Sequence, residues 1–183
     1  MGHRQATVIK GLLLGLLSML SLNLFARGEP SEDQVKAAFV YNFAKFVEWP
    51  ESAFSSKESP LILCVIGKDN VGSALQVLEK KEVQGRQLRL NVITDLTQYL
   101  QNNSCHILFI ANSESAHQQE LLQDLGDAPT LTVADNAEFI KQGGMISLYV
   151  ESQRVQFAIN QNATHNNGLK LSARMLQLAR TPH

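Results

Sequence analysis

The chain has 183 residues, of which 44% are hydrophobic and 18% are charged, and this composition excludes a disordered or fibrous protein. The formal net charge is −1, but the first 28 residues contain three basic and no acidic residues, so the other 155 carry 13 basic and 17 acidic ones. A domain without a basic surplus attracts a phosphate backbone poorly, and we therefore predict no nucleic-acid partner. A length of 155 residues is that of one ordinary domain.

The N-terminal segment has the three parts of a secretory signal peptide. Arg4 and Lys10 precede an apolar run over residues 11–25, and the small residues Ala26 and Gly28 follow it. Fifteen helical residues would span about 22 Å, less than the roughly 30 Å of a bilayer core, which favours a cleaved signal. We predict that residues 1–28 are a signal peptide that directs export; an uncleaved membrane anchor is the alternative.

Export changes the interpretation of the two cysteines. Cys64 and Cys105 each lie in an apolar run typical of a buried strand, and an exported protein meets an oxidising compartment. A Cys64–Cys105 disulfide is therefore our hypothesis, and two separate reduced cysteines in the core are the alternative. Closing a loop of about 40 residues would contribute roughly 4 kcal/mol to stability by the chain-entropy model.

A capping box begins the first predicted element. Ser31 is followed three residues later by Gln34, which predicts a helix that ends near residues 47–49, because Pro50 disfavours helical geometry at the preceding residue. Within this helix we expect a core-facing stripe at helical spacing. Its members are Val35, Ala38, Phe39, Asn42, Phe43 and Phe46. Tyr41 lies off the stripe and Trp49 beyond the helix, where either side chain is free to line a pocket or meet a partner.

The rest of the chain alternates strand-like and helix-like segments. Continuous apolar strands predict a mainly parallel sheet that is covered on both faces. The predicted strands are 61–66, 88–93, 106–110 and 131–134, and the predicted helices are 71–80, 96–100, 115–125 and 137–142.

The C-terminal part has a different pattern. The runs 145–150 and 155–159 are too close together for a crossover helix and predict an antiparallel hairpin, and residues from Asn160 onward predict a terminal helix interrupted near 166–168. The predicted fold is one domain over residues 29–183: an α/β sandwich with a mainly parallel central sheet, an antiparallel C-terminal hairpin and helices on both faces.

The sequence carries no recognisable catalytic set. Gly67 and Gly72 have the spacing that begins a phosphate-binding loop, but the lysine that must follow the second glycine is absent. No histidine is spaced for metal ligation with another ligand, so we expect neither metal nor cofactor, and no enzyme. Asp135 follows the last predicted parallel strand, where ligands of α/β sheets bind, although helix capping is its simpler role.

Six segments of the chain resemble the YfiR family of bacterial periplasmic proteins. The most specific is the aromatic block Lys36-Ala-Ala-Phe-Val-Tyr-Asn-Phe-Ala-Lys-Phe-Val-Glu-Trp-Pro50, and the order of the six agrees over nearly all of residues 29–183. The other five segments are 105–110, 131–135, 143–146, 154–160 and 168–179. Cys64 and Cys105 match one cysteine pair of the family, whereas a second pair found near the hairpin in some members is missing here.

The resemblance implies a periplasmic, non-catalytic regulator that forms homodimers. Its implied partner is the periplasmic domain of an inner-membrane diguanylate cyclase, which it represses, lowering cyclic di-GMP and biofilm formation. An OmpA-like outer-membrane lipoprotein is a second implied partner. The alternative function is a periplasmic protein that binds a small aromatic metabolite, with Phe46, Trp49 and Asp135 near the pocket. The candidate ligand or partner residues are Tyr41, Phe46, Glu48, Trp49, Asp135, Glu151 and Arg154.

Overall fold

The computed structural model describes residues 29–93 and 105–180, and the regular structure of these residues comprises nine strands and five α-helices. The strands are β1 (Val47–Glu48), β2 (Leu61–Ile66), β3 (Glu82–Val83), β4 (Arg86–Ile93), β5 (Ile107–Ile110), β6 (Leu131–Ala134), β7 (Ile146–Glu151), β8 (Arg154–Ile159) and β9 (Lys170–Leu171). The helices are α1 (Glu32–Phe46), α2 (Asn70–Leu75), α3 (Gln118–Leu125), α4 (Gln161–Asn166) and α5 (Ala173–Leu178).

Seven strands form the central sheet in the order β3-β4-β2-β5-β6-β7-β8. The pairs β2–β4, β2–β5, β5–β6 and β6–β7 are parallel, and β7 and β8 form an antiparallel hairpin at one edge. The predicted mainly parallel sheet with an antiparallel end is confirmed. The chain leaves β2 toward β4 on one side and returns to β5 on the other, which makes the carboxyl end of β2 the switch point of the sheet.

Both faces of the sheet are buried, as the continuous apolar strands predicted. Successive side chains of a strand point to opposite faces. In β2, Leu63 and Val65 pack in one core with residues of α1 and α2, whereas Cys64 and Ile66 pack in a second core with Leu121 of α3. Helices therefore cover both faces, which is why a strand without a polar position is stable here.

The predicted capping box of α1 is present, but the predicted buried stripe of this helix is only partly confirmed, because Phe43 alone of its members is fully in the core. Ala38 and Asn42 are exposed, whereas Val40 and Ala44 are fully buried, and Phe39 and Phe46 are only half-buried. Apolar residues occur on several sides of α1, so spacing alone does not select the face. The face that packs on the sheet is the one that carries Ala37, Val40 and Ala44 together with Phe43.

The end of α1 and the C-terminal segment also differ from prediction. The helix stops at Phe46, and β1 then pairs with β9 in a separate antiparallel two-stranded sheet. The predicted interruption of the terminal helix near 166–168 is present, and the unpredicted strand β9 lies in it, between α4 and α5. Gly168, with a φ of +72°, reverses the chain after α4, and Ser172 caps α5.

The remaining differences concern boundaries. The predicted helix 71–80 is an α-helix only to Leu75 and continues as a 3-10 turn, and a short strand, β3, precedes β4. The predicted helix 96–100 and the predicted signal peptide 1–28 lie outside the described residues. Within 29–93 and 105–180, no helix is both long and apolar enough to cross a membrane.

Candidate ligand and partner site

An aromatic cluster fills the junction of α1, β8 and α5. The ring of Phe157 lies 5.0 Å from that of Phe43 and 5.5 Å from that of Phe39, measured between centroids. Phe43 and Phe157 are buried, whereas Phe39 is partly open to solvent. Tilted and edge-on aromatic pairs at these distances attract one another beyond the effect of burial, and the three rings form one continuous surface.

This surface forms the wall of a cavity of about 270 Å³. Two backbone hydrogen bonds hold α5 and the residues after it in place: the Ser172 N–H donates to the Phe46 carbonyl at 3.0 Å, and the Arg180 N–H donates to the Phe157 carbonyl at 2.8 Å. The cavity is lined by Phe39, Asn42, Phe43, Phe46, Phe157, Arg174, Met175 and Leu178.

The cavity has two polar groups, both on exposed residues. Arg174 projects from α5 and Asn42 from α1, and within the described residues no carboxylate lies within 4.0 Å of the Arg174 guanidinium. Aromatic walls bind a planar apolar group, and a guanidinium binds a carboxylate through two parallel hydrogen bonds. The arrangement suits a planar ring that carries an acidic group, on either a small molecule or a partner's side chain.

Of the predicted site residues, Phe46 lines this cavity and Tyr41 and Trp49 do not. The indole N–H of Trp49 donates to the His106 carbonyl at 3.0 Å, at the far end of β1. The Tyr41 hydroxyl donates to the Glu82 carbonyl at 3.2 Å, and the Lys45 ammonium lies 4.1 Å from the centre of its ring. Tyr41 therefore connects α1 to β3.

Asp135 lies at the carboxyl end of β6, away from the cavity. Its carboxylate accepts from the ammonium of Lys36, a residue of the second turn of α1, at 2.6 Å, and Glu32 contacts the same ammonium. Burial lowers the pKa of Lys36, but the bonds and charges of the two carboxylates outweigh it and leave the pKa above its usual value. Burial raises the pKa of Asp135, and the nearby charges of Asp69 and Glu32 oppose the effect of Lys36.

The other three predicted residues lie on the surface. Glu48 is exposed in β1, opposite Lys170 of β9. Glu151 and Arg154 face each other at the end of the β7–β8 hairpin, where Arg154 is exposed and Glu151 half-buried. The structure thus brings none of these three residues to the aromatic cavity.

The predicted disulfide is present. Cys64 of β2 and Cys105, two residues before β5, are bonded with their Cα atoms 5.7 Å apart. Because β2 and β5 are neighbours in the sheet, the bond joins two adjacent parallel strands inside the core beneath α3.

Most of the cavity is not predictable from the sequence. The sequence pattern places Phe157 in a strand and Arg174 and Leu178 in a terminal helix, and it gives none of the three a role in a site. A weak signal exists, because residues four apart on a helix share a face, and this places Arg174 beside Leu178. The sequence holds no signal that this face meets α1.

The fold and the site define an α/β sandwich domain with an aromatic cavity at one end. Within 29–93 and 105–180, no group of three His, Cys, Asp or Glu side chains is arranged to hold a metal ion. A family model described as YfiR/HmsC-like matches residues 33–180. The chain belongs to the YfiR/HmsC-like family.

A solved structure supports the fold independently. The crystal structure of a conserved domain protein from Vibrio cholerae O1 biovar El Tor is similar to this chain with a TM-score of 0.57 and 10% sequence identity. The match covers 81% of this chain and 59% of that one, so the chain spans less than two thirds of the length of the similar structure. At this identity the similarity concerns the fold alone.

Proposed function

We propose that the protein is a non-catalytic periplasmic regulator that binds the periplasmic domain of an inner-membrane diguanylate cyclase and represses it. Membership of the YfiR/HmsC-like family over residues 33–180 carries this proposal. In this proposal residues 1–28 direct export and are removed, and residues 29–183 act as one domain. The partner's domain, a second copy of the chain and an OmpA-like outer-membrane lipoprotein are the proposed contacts.

Deleting the gene tests the repressor function. We expect cellular cyclic di-GMP and biofilm formation to rise in the deletion strain and to return when the gene is restored on a plasmid. A strain that expresses the protein and shows no change in cyclic di-GMP on deletion would contradict the proposal. Co-purification from membranes then tests whether the bound partner carries a diguanylate cyclase domain.

A second candidate function is the binding of a small aromatic carboxylate in the cavity, and the geometry of the cavity favours it. The volume of about 270 Å³ suits one ring with short substituents, and four phenylalanine side chains line the wall. Arg174 lines the same cavity, and its guanidinium would bind a carboxylate attached to such a ring. Trp49 and Asp135, which the sequence predicts near the pocket, do not line this cavity.

Thermal unfolding in the presence of aromatic carboxylates tests the second candidate. A ligand that binds only the native state raises the melting temperature by mass action. We expect an aromatic amino acid or benzoate-type acid to stabilise the wild type, and Arg174→Gln to lose most of this effect. Arg154→Gln, which removes an exposed arginine from the hairpin, is the matched control and should respond as the wild type does. Equal stabilisation of both variants would exclude the cavity as the binding site.

A further inference from the structure

Both ring nitrogens of His106, the residue that follows Cys105 of the disulfide, are hydrogen-bonded to backbone groups. His106 is only 6% exposed. Its Nδ1 lies 3.0 Å from the amide nitrogen of Ile62, and its Nε2 lies 3.0 Å from the carbonyl oxygen of Ala53. An amide N–H can only donate, so Nδ1 must accept and carry no proton, and Nε2–H donates to Ala53. This geometry fits only the neutral ring with its proton on Nε2.

The same ring helps to hold the segment between β1 and β2 against the sheet. It stacks on Phe54 with the ring centres 4.3 Å apart and the planes 17° from parallel. The guanidinium carbon of Arg86 lies 3.6 Å from the centre of the Phe54 ring, and Arg86 donates to the carbonyls of Ser56 and Ser59 at 3.0 and 2.7 Å. Two side chains, His106 and Arg86, therefore fasten residues 53–59.

We propose that His106 is an acid-sensitive latch that fastens the segment 49–60 at neutral pH and releases it when the ring binds a proton. Protonation of Nδ1 removes the acceptor of the Ile62 N–H and sets two N–H groups against each other. It also places a second positive charge beside Phe54, close to Arg86. To relieve this repulsion the ring turns away from Ile62, and that movement breaks its bond to the Ala53 carbonyl and its stack on Phe54. The surroundings of Trp49, which is bonded to the His106 carbonyl, change with it.

Among residues 29–93 and 105–180, no anion lies beside the ring to offset this charge. Strands β2 and β5 present no ionisable side chain toward it, the cysteines beside it form the disulfide, and β4 presents Arg86. The charged residues of the segment itself, Glu51, Lys57 and Glu58, are exposed. Burial lowers the pKa of His106, the bond to Ala53 raises it, and Arg86 lowers it, so that the pKa lies below its usual value.

Acid weakens the latch, because the released state binds the proton more tightly. The released state has an ordinary histidine, with a pKa of about 6.5, and binds a proton more readily than the latched state does. The latch is therefore complete above about pH 6.5 and weakens as the pH falls toward the lower pKa of the native ring.

Trp49 is the sole tryptophan of the chain, so its fluorescence reports on the segment. On titration from neutral to about pH 4.5, we expect the emission to shift with a midpoint below the ordinary histidine value of about 6.5, while far-UV circular dichroism stays unchanged. The variant His106→Asn keeps an oxygen acceptor for the Ile62 N–H but cannot be protonated, and it should show no shift. His117→Asn removes an exposed histidine and should retain the shift.

Three results would overturn the latch: no shift in the wild type, the same shift in His106→Asn, or loss of circular dichroism together with the shift, which would indicate global unfolding. Should His106→Asn not fold, imidazole nitrogen NMR of the wild type decides. We expect the Nε2–H form at pH 7.5 and a titration that follows the Trp49 signal. A ring protonated on Nδ1 at pH 7.5 would contradict the proposal.

Discussion

At the scale of single residues, the most consequential contact is the one that Lys36 makes at the carboxyl edge of the sheet. One ammonium, whose side chain is 6% exposed, lies between the carboxylates of Glu32 and Asp135. The lysine has two anionic neighbours, whereas Asp135 has one cationic neighbour and is also near Asp69. The attraction of the two carboxylates raises the pKa of Lys36. Burial and the repulsion of nearby carboxylates raise the pKa of Asp135.

Replacement of this lysine by an apolar residue of similar length should be strongly destabilising. Lys36→Met leaves Asp135 without a cation, and breaking a buried pair in this way costs about 3–5 kcal/mol. The native carboxyl should then bind a proton more readily than the unfolded one, so the loss should shrink as the pH falls from 7 to 5. Urea unfolding at the two pH values measures both effects.

The control for this prediction removes the other partner as well. Lys36→Met combined with Asp135→Leu should recover much of the stability, because no unpaired charge then remains at the edge of the sheet. Lys36→Met with wild-type stability at pH 7 would show that the contact has no structural importance.

At the scale of elements, the start of α1 depends on its cap. The Gln34 N–H donates to the Ser31 hydroxyl at 3.3 Å, and the Ser31 N–H donates to the Gln34 side chain at 3.0 Å. Ser31→Ala should lower the free energy of unfolding by about 1 kcal/mol, because an N–H of the first turn loses its acceptor. Chemical denaturation measures this loss. Ser31→Asp retains an acceptor and should stay near wild type; equal losses in both variants would contradict a capping role.

The turn of the β7–β8 hairpin has residues that do not favour its backbone conformation, so substitution there should raise stability. Ser152 and Gln153 both have positive φ, 49° and 61°, in a two-residue loop. Such loops favour Asn-Gly, and left-handed backbone costs other residues about 1–2 kcal/mol. Ser152→Asn with Gln153→Gly should therefore raise the free energy of unfolding by about 1 kcal/mol or more, as thermal and urea unfolding would show. Reversing the order to Gly-Asn is the control, and it should stabilise less.

At the scale of the whole molecule, the disulfide links β2 to Cys105, two residues before the start of the neighbouring strand β5. It closes a loop with a sequence separation of 41 residues, which corresponds to about 4 kcal/mol in the chain-entropy model. Cys64→Ala combined with Cys105→Ala should lower the melting temperature clearly while the same sheet still forms. A reducing agent should destabilise the wild type similarly and leave the double variant unaffected; a reductant effect on that variant would point to another cause.

Much of the sheet was predictable because each strand carries its own signal. The bounds of β2 and β6 agree with prediction, and so does the hairpin, since apolar runs and short connections are local properties. The two-residue strands β1 and β9 were not predictable. They contain too few residues to show a period, and each exists only because the other lies beside it.

The candidate site is likewise predictable in part from local sequence and in part only from the tertiary structure. The aromatic block, Lys36 to Pro50, is recognisable from sequence, and it also carries the family resemblance. Which of its rings would line a cavity depended on the rotation of α1 about its axis. The sheet sets this rotation through Val40 and Ala44, which are fully buried, and thereby leaves Phe39 and Phe46 at the edge.

Sequence alone determined the fold class, the disulfide partners, the cap of α1 and the family, because periodicity, capping and motif order are properties of the chain itself. The tertiary structure decided the cavity, the Lys36–Asp135 pair and the neutral state of His106. Each of these joins residues far apart in the chain: Lys36 and Asp135 differ by 99 positions, and His106 and Ala53 by 53. The physical reason is that their energies arise from burial and from the direction of hydrogen bonds, which exist only once the helices and strands have packed together.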